Sequence, residues 1–135
     1  MRRKMTRNWV EFDEGPKATS RDSRYVSINQ DGEILMNRHT YQEMKEPAAV
    51  VVLFDSGTYT IGLRPASPLA PNAFPIRQKG KHGNRQVAVR PFVERHELKL
   101  NGTARFLTPE IEEGILVLEL RRTANVSRRK NSNRR

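Results

Sequence analysis

Two stretches of this chain, residues 25–65 and 86–121, carry the alternating and β-branched apolar runs from which a core can be built. The first opens with Tyr25-Val26-Ser27-Ile28-Asn29, apolar at every second position; Asp31-Gly32 is a tight-turn signal, and Glu33-Ile34-Leu35-Met36 resumes the strand. Asn37 is placed to cap a short helix running to Met44, which Pro47 ends. Ala49 to Phe54 is an apolar run, Asp55-Ser56-Gly57 a turn, and Thr58 to Leu63 the returning strand.

The second stretch repeats most of this order. Gln86 to Val89 reads as a strand, and Pro91 stands in the first turn of a helix that continues from Phe92 to Leu98. Ala104 to Leu107 starts the next strand, Glu112-Glu113-Gly114 is the turn, and Ile115 to Leu120 runs back. A shift of 57 residues sets Arg38-His39 on Arg95-His96, Gly57 on Gly114, and Leu63-Arg64 on Leu120-Arg121. The chain therefore reads as two β-α-β-β units derived by internal duplication. A unit this small cannot bury both faces of its own sheet, so the two are expected to pack on each other as a pseudo-symmetric pair. The fold class is α+β, mostly β. Expected core positions are Val26, Ile28, Ile34, Met36, Met44, Val50, Val52, Phe54, Ile61 and Leu63 from the first unit. Val87, Val89, Phe92, Leu98, Phe106, Ile115, Val117 and Leu120 come from the second.

Charge is distributed outside these units. The formal net charge is +10, yet residues 25–66 carry −2 and 87–121 carry −1. The excess lies in an N-terminal arm (1–24, +3), the segment 67–86 (+4) and the C-terminal tail (122–135, +6). A near-neutral core with basic arms binds polyanions by releasing their counterions, without needing to read bases. Arg2, Arg3, Lys4 and Arg7 in the arm, Arg77, Lys79, Lys81 and Arg85 in the middle, and Arg128, Arg129 and Lys130 in the tail are the candidate contacts. Arg38, at the start of the first helix, joins them.

Residues 66–85 divide into a linker stiffened by Pro68, Pro71 and Pro75 and a mobile basic loop, 77–85, that fits a hairpin tip. The tail 122–135 has almost no apolar residue and is expected to be disordered when free. Trp9 and Phe74 sit beside basic residues, where they could stack on bases; lying over the core is the simpler expectation for both.

The first unit resembles the AbrB/MazE/MraZ group of swapped-hairpin DNA-binding proteins. The residues that carry the likeness are Val26-Ser-Ile28-Asn-Gln-Asp-Gly32-Glu-Ile34-Leu-Met36, the short helix to Met44, Val50-Val51-Val52, and Ile61-Gly62-Leu63-Arg64-Pro65. The tandem arrangement is similar to MraZ. The resemblance implies an AbrB-like β-barrel made of the two units, and a DNA-binding transcriptional regulator. In that group basic residues near the first hairpin meet DNA, whereas this chain has Asp31 and Glu33 there. The arms and the segment from Arg77 to Arg85 are thus the better candidates.

Chemistry is not indicated. The chain has no cysteine, which removes thiolate zinc sites, disulfides and cysteine nucleophiles. Gly80-Lys81-His82-Gly83 lacks the spacing of a phosphate-binding loop, the serines have no nucleophile-elbow context, and His39 and His96 lack a ligand set. No enzyme activity, cofactor or metal is expected. No apolar stretch approaches the roughly 18 residues of a membrane span. The expected setting is cytoplasmic, nucleoid-associated if DNA is bound, with no membrane partner. Nucleic acid, DNA ahead of RNA, is the expected partner, and exposed strand edges leave homo-oligomers open. An RNA or ribonucleoprotein assembly protein and an antitoxin-like partner module are the alternatives.

Overall fold

A computed structural model describes residues 7–13, 15 and 23–126. Eleven short strands and two short helices follow in the order β1 (Val26–Ile28), β2 (Glu33–Met36), α1 (Arg38–Glu43), β3 (Ala49–Asp55), β4 (Thr60–Ala66), β5 (Ala73–Pro75), β6 (Arg77–Lys79), β7 (Asn84–Ala88), α2 (Arg90–Arg95), β8 (Ala104–Phe106), β9 (Glu110–Glu112), β10 (Ile115–Glu119) and β11 (Thr123–Asn125). They form two antiparallel sheets. One has the order β11-β8-β1-β2-β7-β6 and the other β5-β3-β4-β10-β9. The protein is therefore mostly β, as expected, but the sheets do not close into the barrel that the resemblance implied.

The two stretches of the chain meet in both sheets. In the first, β2 pairs with β7 through Ile34↔Val87 and Leu35↔Gln86; in the second, β4 pairs with β10 through Ile61↔Leu118 and Leu63↔Leu116. Ile34, Val87, Ile61, Leu118, Leu63 and Leu116 are all buried with no exposed surface. They join Val26, Ile28, Met36, Val50, Val89 and Phe106 in one core, each fully buried side chain stabilising the fold by about 1.5–3 kcal/mol relative to exposure.

Local signals explain the helices. The Asn37 side chain accepts a hydrogen bond from the Thr40 backbone N–H and caps α1, and Pro91 stands in the first turn of α2, where its missing N–H costs nothing.

The structure corrects three expectations. Residues 66–85 hold more regular structure than a linker and a loop: β5 pairs with β3 (Val50↔Phe74), and β6 and β7 form a hairpin, closed by Gly80 to Gly83, whose tip falls in the expected segment 77–85. The prolines permit this, since Pro75 lies on an edge strand and Pro65 lies beyond Thr60–Leu63, the part of β4 that β10 pairs with. Residues 122–126 are ordered rather than part of a loose tail. Strand β11 pairs with β8, and the flanking bonds Leu107 N–H to Arg122 O (2.8 Å) and Val126 N–H to Thr103 O (2.8 Å) extend the ladder; backbone pairing of this kind needs no apolar side chain. In β10, Leu116 and Leu118 are buried and Ile115 and Val117 are only half-buried, the opposite phase to that expected. The run Ile115–Leu118 is apolar on both faces, so the pairing with β4, and not the alternation, chooses the inner one.

Each half reaches across the molecule with a hairpin tip. Gly32, between β1 and β2, lies against Arg90 at the start of α2; Gly83, between β6 and β7, lies against Arg38 at the start of α1. Both glycines have positive φ (+80° and +88°). A Cβ at Gly32 would stand 2.7 Å from the Arg90 Cα, whereas at Gly80 (φ +77°) it would meet nothing. Gly80→Ala should therefore lower stability by about 1–2 kcal/mol, the cost of a left-handed non-glycine residue. Gly32→Ala should cost more, because backbone must also move. Thermal denaturation of the two variants checks this, and equal losses would contradict the close packing at Gly32.

Candidate nucleic-acid interface

The tip of the β6–β7 hairpin and helix α1 enclose a cleft of about 280 Å³. Arg38, Tyr41, Gln42 and Glu46 form one wall, and Gln78, Lys81, His82, Gly83 and Arg85 the other. Three full cations thus face one carboxylate. Among the described residues, none of Arg38, Lys81 and Arg85 has an ion-pair partner, Glu46 included.

Arg85 is held in place without an acid. Its guanidinium carbon lies 4.5 Å from the centre of the Tyr41 ring, and its Nη1 donates to the carbonyls of Gly83 (2.8 Å) and Asn84 (3.3 Å). The ring is itself anchored, because the Tyr41 hydroxyl donates to the Pro47 carbonyl at 2.8 Å. A cation over an aromatic face keeps its charge, and its other N–H groups remain available to an anion. Arg38 is placed by the absence of a side chain at Gly83: a Cβ there would lie 2.7 Å from the Arg38 Cδ.

The candidate residues are divided by the structure. Arg38, Lys81 and Arg85 come together in the cleft. Arg77 and Lys79 are exposed on β6 but lie opposite Gln86 and Asn84, whereas Gln78 lies opposite Arg85. Side chains alternate along a strand, so Arg77 and Lys79 take the hairpin face away from the cleft. Arg7 is exposed and belongs to neither set. Arg2, Arg3, Lys4, Arg128, Arg129 and Lys130 lie outside the described residues. Tyr41, Gln42, Glu46 and Gln78 had no signal in the sequence; only the folding of α1 against a hairpin more than 30 residues later brings them to the cations.

The equivalent place in the other half has a different charge. The β1–β2 tip carries Asp31 and Glu33 in sequence, its Gly32 lies against Arg90, and Arg90 is bound to Glu94 at 3.2 Å. One tip is cationic and the other acidic.

A second depression, about 470 Å³ and shallow, is lined by Ser23, Arg24, His39, Glu43 and Leu107 to Glu110. Its Arg24, His39 and Glu43 side chains are engaged with each other. Arg24 Nε donates to Glu43 Oε1 at 2.6 Å and Nη1 donates to the Pro109 carbonyl at 3.1 Å, while His39 Nε2 lies 3.4 Å from the same carboxylate. This fastens Arg24 onto α1 and the β8–β9 corner. His96 sits elsewhere, packed at a tilt against Phe54 and Phe92 with centroids 4.6 and 4.9 Å away. Among the described residues no three metal-ligating side chains cluster, and no helix is long and apolar enough to cross a membrane. Comparison with protein-family models, with curated proteins and with solved structures finds no significant match to this chain.

The hydrogen bond from Arg24, opposed in part by burial, holds the Glu43 carboxyl below its ordinary pKa of 4.5. A carboxyl lowered by folding adds stability at pH above its unfolded value, and that contribution is lost as pH falls through the folded value. Glu43→Gln should therefore be less stable than wild type near neutrality, and the gap should close on acidification below about pH 4.5, in melting experiments across pH. A constant gap would show that the bond does not depend on ionisation.

Proposed function

We propose that this protein binds nucleic acid, with duplex DNA as its first ligand, and that it acts as a regulator of the AbrB/MraZ type. The observation that carries the reading is the cleft between α1 and the β6–β7 hairpin, where Arg38, Lys81 and a pre-ordered Arg85 have no acid partner among the described residues. Three cations and one carboxylate within one concavity leave a net positive charge that costs the folded chain energy, and phosphate removes it. Planar guanidinium groups suit phosphate oxygens, and Lys81 adds a mobile point charge. Arg77 and Lys79 add two cations on the outer face of the same hairpin, and the arm and tail add further basic residues in sequence. Phosphate contacts of this kind position a duplex without reading its sequence.

The layout agrees with a tandem of two β-α-β-β units. A strand and its following helix occur in each half (β2 with α1, β7 with α2), the halves pair through β2–β7 and β4–β10, and each turn glycine rests on the other half's helix. In this reading the duplicated hairpins have diverged in charge, so that the second one meets DNA and the first does not.

The test is binding to a labelled duplex across a salt series. Arg38→Ala, Lys81→Ala and Arg85→Ala should each weaken binding by about 1–2 kcal/mol, roughly five- to thirty-fold, and each lost phosphate contact should reduce the slope of log K against log salt by about 0.9. Arg90→Ala, at the equivalent place in the acidic half, should change neither. If Arg90→Ala weakens binding as much as Arg85→Ala, the cleft is not the interface.

A further inference from the structure

The N-terminal segment holds an exposed apolar group that the cleft does not account for. Trp9 is 85% exposed, Val10 89% and Phe12 77%, so this segment does not lie over the core as expected, although Phe74 does. An indole is usually largely buried, and one left in water implies something that covers it. Its neighbours indicate what. Arg7 is exposed two residues before it, Arg2, Arg3 and Lys4 precede that in sequence, and no acid occurs until Glu11. Cations followed by a free ring suit a nucleic-acid strand whose phosphates meet the cations and whose base stacks on the ring. Glu11 and Asp13 flank Phe12 and repel phosphate, which makes Trp9 the principal ring. A base can offer its face in this way only where it is unpaired, since in a duplex both faces are already stacked.

We propose that Trp9, with Arg7 beside it, is a stacking site for unpaired nucleotides, so that the protein holds single-stranded stretches in addition to duplex phosphates. This rests on the nucleic-acid reading above and adds a second ligand form to it. A second copy of the chain is the competing occupant for an exposed apolar segment.

Trp9 is the only tryptophan in the chain, so intrinsic fluorescence of the full-length protein reports on this site alone. Fluorescein-labelled oligothymidylate and a labelled blunt duplex would be titrated separately, with label anisotropy and tryptophan emission followed together. Quenching of Trp9 should saturate with the anisotropy change for oligothymidylate and be much smaller for the duplex. Trp9→Ala should weaken oligothymidylate binding about five-fold or more and leave duplex binding unchanged, and Trp9→Phe should recover most of the loss. Anisotropy that rises while Trp9 emission stays constant would overturn the stacking site and leave the nucleic-acid reading standing. No anisotropy change with either probe would overturn both. Equal quenching by the duplex would overturn the requirement for unpaired bases, and a blue shift that grows with protein concentration alone would assign the segment to a second copy.

Discussion

Strand pairing between the two halves, β2 with β7 and β4 with β10, is the constraint on which the rest of the molecule depends. Neither half has enough strands to cover its own apolar face. Once Ile34 is set against Val87 and Ile61 against Leu118, the inward faces of both sheets are fixed and twelve fully buried side chains share one interior. The same pairings carry each hairpin tip across to the opposite helix. At Gly32 that approach meets Arg90 backbone and excludes a side chain, at Gly83 a side chain would displace that of Arg38, and positive φ favours glycine at both.

The cationic cleft is a product of this crossing. Arg38 and Tyr41 come from α1 and Lys81 and Arg85 from the β6–β7 hairpin, so neither element alone contains the site. Tyr41 orders Arg85 through its ring, and the bare backbone at Gly83 lets Arg38 lie alongside. The other crossing sets Gly32, in a tip that carries Asp31 and Glu33, against an Arg90 already paired with Glu94. The two hairpin tips therefore differ in charge. Lysine and arginine on β6 have a further effect, since β6 is an edge strand, and charged edges resist pairing with other sheets.

Much of the framework was legible in the chain. The period-two alternation of Val26 and Ile28, the cap at Asn37 and the proline at 91 each specify local structure through sterics or a single hydrogen bond, and each element formed where those signals stood. Legibility failed where the deciding partner was distant. Arg77 to Lys79 has no apolar residue and forms a strand because β7 supplies the other half of its ladder; Thr123 to Asn125 does so because β8 does. The inner face of β10 is chosen by β4, since leucine, isoleucine and valine occupy both phases. Of the site, the charges could be read and the geometry could not. Nothing near Arg85 in sequence announces Tyr41, and the division of Lys79 from Lys81 onto different surfaces follows from the register with β7.

Amide hydrogen exchange of the full-length protein, with and without duplex DNA at low ionic strength, tests the central claim most directly, because the acidic hairpin serves as an internal control. The account predicts added protection at residues 38–46 and 77–86 and none at 29–33 or 90–95. Protection confined to the β1–β2 tip and α2, or spread equally over both, would contradict it and show that the unpaired cations of the cleft are not what the polyanion meets.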